Sequence, residues 1–215
     1  RDDPDGKVLK GTVVRAASFK NGCKKSFAKT GTFFIGAPLK EISSKLAVIS
    51  LAGDEDSLFE PVNGIYVKTP PPGSRPVSFG YYEKGAEQRY HAETRIAILR
   101  DEAAKKSQKS LRLEFSGDSS FHNPFFKNFR RETYRNLHIL SPQAKKDLSI
   151  YEESLFSEII APLKMAIPPA KPVMVFFNGE YWGIHHMTVP VDKPFLADYH
   201  GTTISSLTLI KEQQE

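Results

Sequence analysis

Two charged side chains fall where a charge is hardest to keep. Lys109 opens the segment Lys109-Ser-Leu-Arg-Leu-Glu-Phe115, in which Leu111, Leu113 and Phe115 alternate with Ser110, Arg112 and Glu114. Clean alternation marks a strand with one face buried, and counting back by twos from Phe115 puts Lys109 on the apolar face. An ammonium group there is costly unless it is paired or directed at a phosphate. The alternative is that Lys109 sits at the strand's end and reaches water along its own alkyl stem. Glu152 lies in a stretch whose period predicts a helix over about 150–161, stopped by Pro162. On a 100° wheel Tyr151, Leu155, Phe156, Ile159 and Ile160 form one arc, and Glu152 falls inside it, between Ile159 and Phe156. Its carboxylate is therefore expected to point toward a sheet. The alternative is local: Ser149-Ile-Tyr-Glu152 has the form of a capping box, which would use the same carboxylate at the helix start.

Other chemistries find little support. His185 and His186 are neighbours in a predicted strand, so they face opposite ways and cannot chelate one metal together. The six histidines show no ligand spacing, and the single cysteine, Cys23, excludes an internal disulfide and a cysteine-based zinc site. No Gly-x-x-x-x-Gly-Lys-Ser/Thr loop, Gly-x-Gly-x-x-Gly turn or Gly-x-Ser-x-Gly elbow occurs. The net charge is +5, and the positive residues concentrate in the first thirty residues and between Arg100 and Arg112. Lys105-Lys106 sits in a polar stretch without interleaved aromatics and reads as a solvated loop, so no nucleic-acid partner is expected. There is no apolar run of about 18 residues, so no membrane span is expected. The opening Arg-Asp-Asp-Pro-Asp-Gly lacks an apolar signal-peptide core, and with no initiator Met the chain reads as beginning inside a longer one.

These residues must be held by something, and the strongest local signal is Lys171-Pro-Val-Met-Val-Phe-Phe-Asn-Gly-Glu-Tyr-Trp-Gly-Ile. Asn178-Gly179 between two apolar runs predicts a two-residue type I′ hairpin. Phe177 would face Glu180, Phe176 would face Tyr181 and Val175 would face Trp182. Val173, Val175, Phe177, Trp182 and Ile184 then share one face. Both faces are apolar, so the hairpin is expected inside a sheet and covered on each side. Gly183 beside aromatics predicts close approach by another group. Further strands are predicted at Leu46–Leu51, Pro76–Tyr82, Glu93–Leu99, Ser110–Phe115 and Asn136–Leu140, with a stiff proline-rich loop at residues 70–76. Ahead of them, Thr12–Phe19 and Thr30–Ile35 read as two strands around a turn. Two strands cannot bury a core alone. The expected fold is α+β: a mostly antiparallel, twisted sheet with one principal packed helix, preceded by a β-hairpin.

The hairpin residues Phe-Phe-Asn-Gly-Glu-Tyr-Trp-Gly-Ile, followed by Phe195-Leu-Ala, resemble the signature of the spore-coat protein CotH family of atypical kinases. Leu46–Leu51, the segment Asp54–Val67 ending in Gly-Ile-Tyr-Val, and Gln108–Phe115 extend the resemblance over roughly residues 38–200. It implies an amino-terminal kinase lobe at 37–200 and the start of a second lobe at 201–215. Residues 1–36 resemble the last strands of an immunoglobulin-like domain; a hairpin arm of the main domain is the other reading. A strand lysine, a helix carboxylate and a hairpin then follow the chain order in which a lysine meets nucleotide phosphates and an acid positions it. The resemblance implies ATP with Mg²⁺ or Mn²⁺, with Lys109 at phosphate, Glu152 positioning Lys109, and Val189 in the connector beside adenine. Metal ligands are expected outside this chain, which by itself is expected to bind rather than transfer. It further implies a protein substrate or a cell-surface or spore-coat partner, and an extracellular or surface location. One departure stands out: the family's Glu-Lys in the connector is Val189-Pro190 here. That departure favours the alternative of a non-catalytic surface or carbohydrate-associated module on the same scaffold.

Overall fold

Asn178 and Gly179 take φ of 46° and 85°, the two positive values that a type I′ turn requires. Around this turn β10 (Ala170–Phe177) and β11 (Glu180–Thr188) pair antiparallel, Phe177 with Glu180 and Phe176 with Tyr181. The computed structural model describes residues 9–23, 26, 28–35, 45–67, 73–83, 87–99, 107–116, 121–122, 125–126, 133–142, 155, 159 and 165–210. Five more strands join the hairpin: β3 (Ala47–Gly53), β4 (Arg75–Glu83), β5 (Glu87–Ile98), β6 (Leu111–Glu114) and β9 (Asn136–Leu140). They form a closed barrel in the order β10-β11-β9-β6-β5-β4-β3. Outside it stand two small sheets, β1 (Thr12–Ala16) with β2 (Lys29–Phe33), and β7 (Phe121–His122) with β8 (Thr133–Tyr134).

The α+β expectation is therefore corrected. The architecture is mostly β, because β10 pairs in parallel with β3, from Val173 opposite Ala47 to Phe177 opposite Leu51. That pairing joins strands far apart in the sequence and removes the free edges of the sheet. The described helices are short: α1 (Glu55–Phe59) and α2 (Lys193–His200), with a single 3-10 turn at Ile204–Ser206. Most of the helix predicted over 150–161 lies outside the described residues. Of its apolar arc, Leu155 and Ile159 are described, and both are more than half exposed rather than packed on the sheet.

Closure divides the apolar residues into two sets. Ile49, Leu51, Val77, Phe79, Ile96, Leu111, Leu113, Val173, Val175, Phe177 and Met187 belong to the inner core. The residues alternating with them on β3 and β10 (Val48, Met174 and Phe176) form an outer cluster with Tyr82. The β1–β2 arm covers it: Phe34 stacks edge-on against Tyr82 and Phe176, and Tyr82 donates its hydroxyl to the Thr32 carbonyl. Both faces of the hairpin are thus covered, as its composition predicts. One pairing differs from expectation. A bulge on β11 sets Met174 opposite Ile184, so Ile184 turns to the outer cluster instead of sharing Trp182's face. Gly183, at φ 96°, supplies the backbone freedom that the bulge needs.

The arm is anchored at the hairpin turn, where the Gly11 N–H donates to the Gly179 carbonyl at 2.7 Å. A β-carbon at Gly179 would lie 2.1 Å from the Gly11 oxygen. Gly179→Ala is expected to destabilise by more than about 1 kcal/mol, from the left-handed backbone alone. It should also detach the arm, seen as faster amide exchange or proteolysis in residues 9–16. An unchanged melting temperature together with unchanged protection of the arm would contradict this account.

Candidate functional site

At one end of the barrel β3 and β10 finish while β6 and β11 begin, and here the chain brings polar groups together inside an aromatic wall. The loop after β3 builds one side. Asp54 caps α1 by accepting from the Ser57 N–H and hydroxyl at 2.9 and 2.8 Å, which holds its carboxyl below the usual range. The Glu60 carboxylate then accepts from Val62 and Asn63 N–H groups, at 3.1 and 2.6 Å. Gly64 closes the turn by donating to the Glu60 carbonyl, so near its backbone that a β-carbon would lie 2.5 Å from that oxygen. The tight turn drops Ile65 into the core and brings Tyr66 over the barrel end.

Tyr66 is the hub. Its hydroxyl oxygen accepts from the Lys109 backbone N–H at 2.9 Å and from Trp182 Nε1 at 2.7 Å. Its ring packs against Phe59, Phe177 and Trp182, with centroids 5.3 to 5.8 Å apart. Gln108 donates from Nε2 to the Trp182 carbonyl at 2.9 Å. Gly183 permits this, since a β-carbon there would stand 2.1 Å from Gln108 Nε2. This is the close approach that the bare glycine predicts.

Lys109 is where the alternation puts it, inside, with 2 % of its surface exposed. Its Nζ lies 5.7 Å from the Tyr66 ring centroid, and burial pulls its pKa below the ordinary lysine value. The structure thus favours the buried reading of Lys109 over escape to solvent. Glu152 lies outside the described residues, so its expected approach to Lys109 stands as a sequence expectation. Val189 follows the far end of β11, and its side chain belongs to the inner core, 1 % exposed. Lys109 and Val189 are therefore not gathered at one point: the first joins the start of β11, the second follows its end. Val189 has only backbone to offer a ligand, and its carbonyl receives the Thr188 hydroxyl at 3.4 Å.

Three participants escaped the sequence reading. Tyr66 is legible only as part of a segment, because nothing local says that its hydroxyl meets Lys109 and Trp182. His185 is fully buried next to Lys109, and neither ring nitrogen has a well-formed hydrogen bond among the described residues. Burial pushes its pKa down to about 4, although the nearby backbone of Gly183 and Lys109 pulls the other way. At the opposite end of the barrel, Lys171 Nζ reaches Glu83 Oε1 at 2.9 Å, the Phe125 carbonyl at 3.0 Å and the Tyr81 hydroxyl. Burial, and then Glu83, raise the Tyr81 pKa far above the usual phenol value. This part-exposed cluster ties β4, β10 and the Phe125 segment together. Among the described residues no group of three or more His, Cys, Asp or Glu side chains could hold a metal ion, and no helix is long and apolar enough to cross a membrane.

His185 makes the stability depend on pH. Its folded pKa lies below the ordinary histidine value near 6.5, so the unfolded chain binds more protons between about pH 6.5 and 4. Its contribution is complete above about 6.5 and is lost as pH falls toward 4, by about 3 kcal/mol. Urea midpoints measured from pH 7 to 4 should fall, and His185→Asn should flatten that slope. Equal slopes in the two proteins would show that His185 is not the group titrating.

With this geometry in place, comparison with known proteins adds one finding. No curated protein matches the chain. The model of the CotH kinase protein family matches residues 100–212, just over half of the chain, taking in the strands from β6 to β11 and α2. Lys109 and the Asn178-Gly179 hairpin fall inside this span and Tyr66 falls before it. The chain belongs to the CotH kinase protein family.

Proposed function

We propose that this chain provides the nucleotide-binding lobe of a CotH-type kinase, with Lys109 directed at the phosphates of ATP. The observation that carries the reading is a lysine held 2 % exposed at an apolar barrel end, its pKa lowered by burial. A cation kept in such a place gains most from an anionic partner. The aromatic wall of Phe59, Tyr66, Phe177 and Trp182 supplies low-dielectric surroundings in which that attraction is stronger than in water. Glu152 keeps in this reading the part its sequence position suggests, holding Lys109 in place. Backbone around Val189 is the segment for the adenine edge. Mg²⁺ or Mn²⁺ would enter with the nucleotide and neutralise its phosphates. The described residues offer no protein-built site for it, and no step is assigned to it here. The acceptor in this reading is a protein, met outside the cell or at its surface.

Val189-Pro190 supports a second reading, in which the scaffold persists without nucleotide binding as a surface module. Proline at that point removes a backbone donor from the connector. A thermal-shift titration separates the two. A ligand at 100 times its dissociation constant adds about 2.7 kcal/mol of stability, so ATP should raise the melting temperature by several degrees. Lys109→Met should abolish the shift while leaving the unliganded protein folded. No shift with ATP or ADP, with or without Mg²⁺ or Mn²⁺, would leave the scaffold reading.

A further inference from the structure

We infer that the Tyr66 hydroxyl is a second anion-binding group of the Lys109 site, donating its hydrogen to a phosphate oxygen of a polyphosphate ligand. The inference rests on the nucleotide reading of that site and adds to it a residue that lies before the span matched by the family model.

The argument is one of hydrogen-bonding capacity. A phenol oxygen has two lone pairs and one hydrogen. At Tyr66 both lone pairs are taken, one by the Lys109 N–H at 2.9 Å and one by Trp182 Nε1 at 2.7 Å. The remaining capacity is to donate, and among the described residues nothing accepts that hydrogen. Two accepted bonds polarise the O–H and make it a better donor. They also fix the oxygen against both β11 and the residues leading into β6, so the donor is held before a ligand arrives. Burial raises the Tyr66 pKa, with the same two bonds opposing, and the group therefore keeps its proton at neutral pH. The Lys109 ammonium stands 5.7 Å from the Tyr66 ring centroid. A cation and a directed O–H in one cluster match an ionised phosphate, whose oxygens only accept.

The test uses the full chain and three probes: ATP, sodium tripolyphosphate and adenosine, titrated calorimetrically into wild type, Tyr66→Phe and Lys109→Met. Tyr66→Phe is expected to weaken ATP and tripolyphosphate roughly 10- to 100-fold, the worth of one hydrogen bond to a charged group, while adenosine binds as before. Folded Tyr66→Phe with tripolyphosphate affinity unchanged, or with all three probes weakened equally, would overturn the inference and leave the Lys109 reading standing. Wild type binding neither ATP nor tripolyphosphate would overturn both. Should Tyr66→Phe fail to fold, 3-fluorotyrosine at position 66 retains the hydroxyl and its accepted bonds. Its fluorine resonance should then move with tripolyphosphate and not with adenosine, and a resonance indifferent to tripolyphosphate would overturn the inference.

Discussion

The parallel pairing of β10 with β3 is the contact on which the rest of this structure depends. It turns a curved antiparallel sheet into a closed barrel and decides which side chains are inside. Asn178 reinforces it twice: its side-chain Oδ1 accepts from the Gly53 N–H at 2.9 Å, and its backbone N–H donates to the Leu51 carbonyl at 2.9 Å. The hairpin turn is therefore stitched to the end of β3, and the loop that begins there carries Tyr66 back across the opening. Without closure, Lys109 would lie on an open sheet face. With it, the lysine is buried at the barrel end beside the Tyr66 ring.

Closure also explains why the hairpin is apolar on both faces. One face meets the inner core and the other is roofed by the β1–β2 arm. The two ends of the barrel are finished differently. One has Tyr66 accepting two N–H groups beside the buried Lys109. At the other, Lys171 and Glu83 answer one another directly and draw in the Phe125 carbonyl. The Tyr66 O–H at the first end is a donor that the described residues do not use.

Local sequence patterns are legible where local physics governs. Asn178-Gly179 specifies its turn because few residues tolerate two consecutive positive φ values, and the strand expected at Asn136–Leu140 is present as β9. Alternation also set Lys109 on the inner side. What failed was long-range. The β3–β10 register is a relation between distant strands, each of which reads as an ordinary buried strand by itself, so the sheet was expected with a packed helix and not closed on itself. The β11 bulge shifted Ile184 to the other face because an inserted residue changes the period without changing the composition. Tyr66 belongs to a legible motif, but its task depends on partners distant in sequence, Lys109 and Trp182.

Closure by the parallel pair also has a consequence in time. During synthesis β3 emerges early, while the strand that seals it leaves the ribosome only after most of the barrel has been made. The β10–β11 hairpin forms rapidly from neighbouring residues, but its docking on β3 must wait for closure of a long loop. Until then β3 presents an open edge with apolar side chains on both faces, the kind of edge that recruits other chains. The β1–β2 arm is already available in that interval. By lying over the outer face of β3 and meeting Ser50 through Thr32 at 2.8 Å, it can shield one side of the waiting strand before the barrel exists.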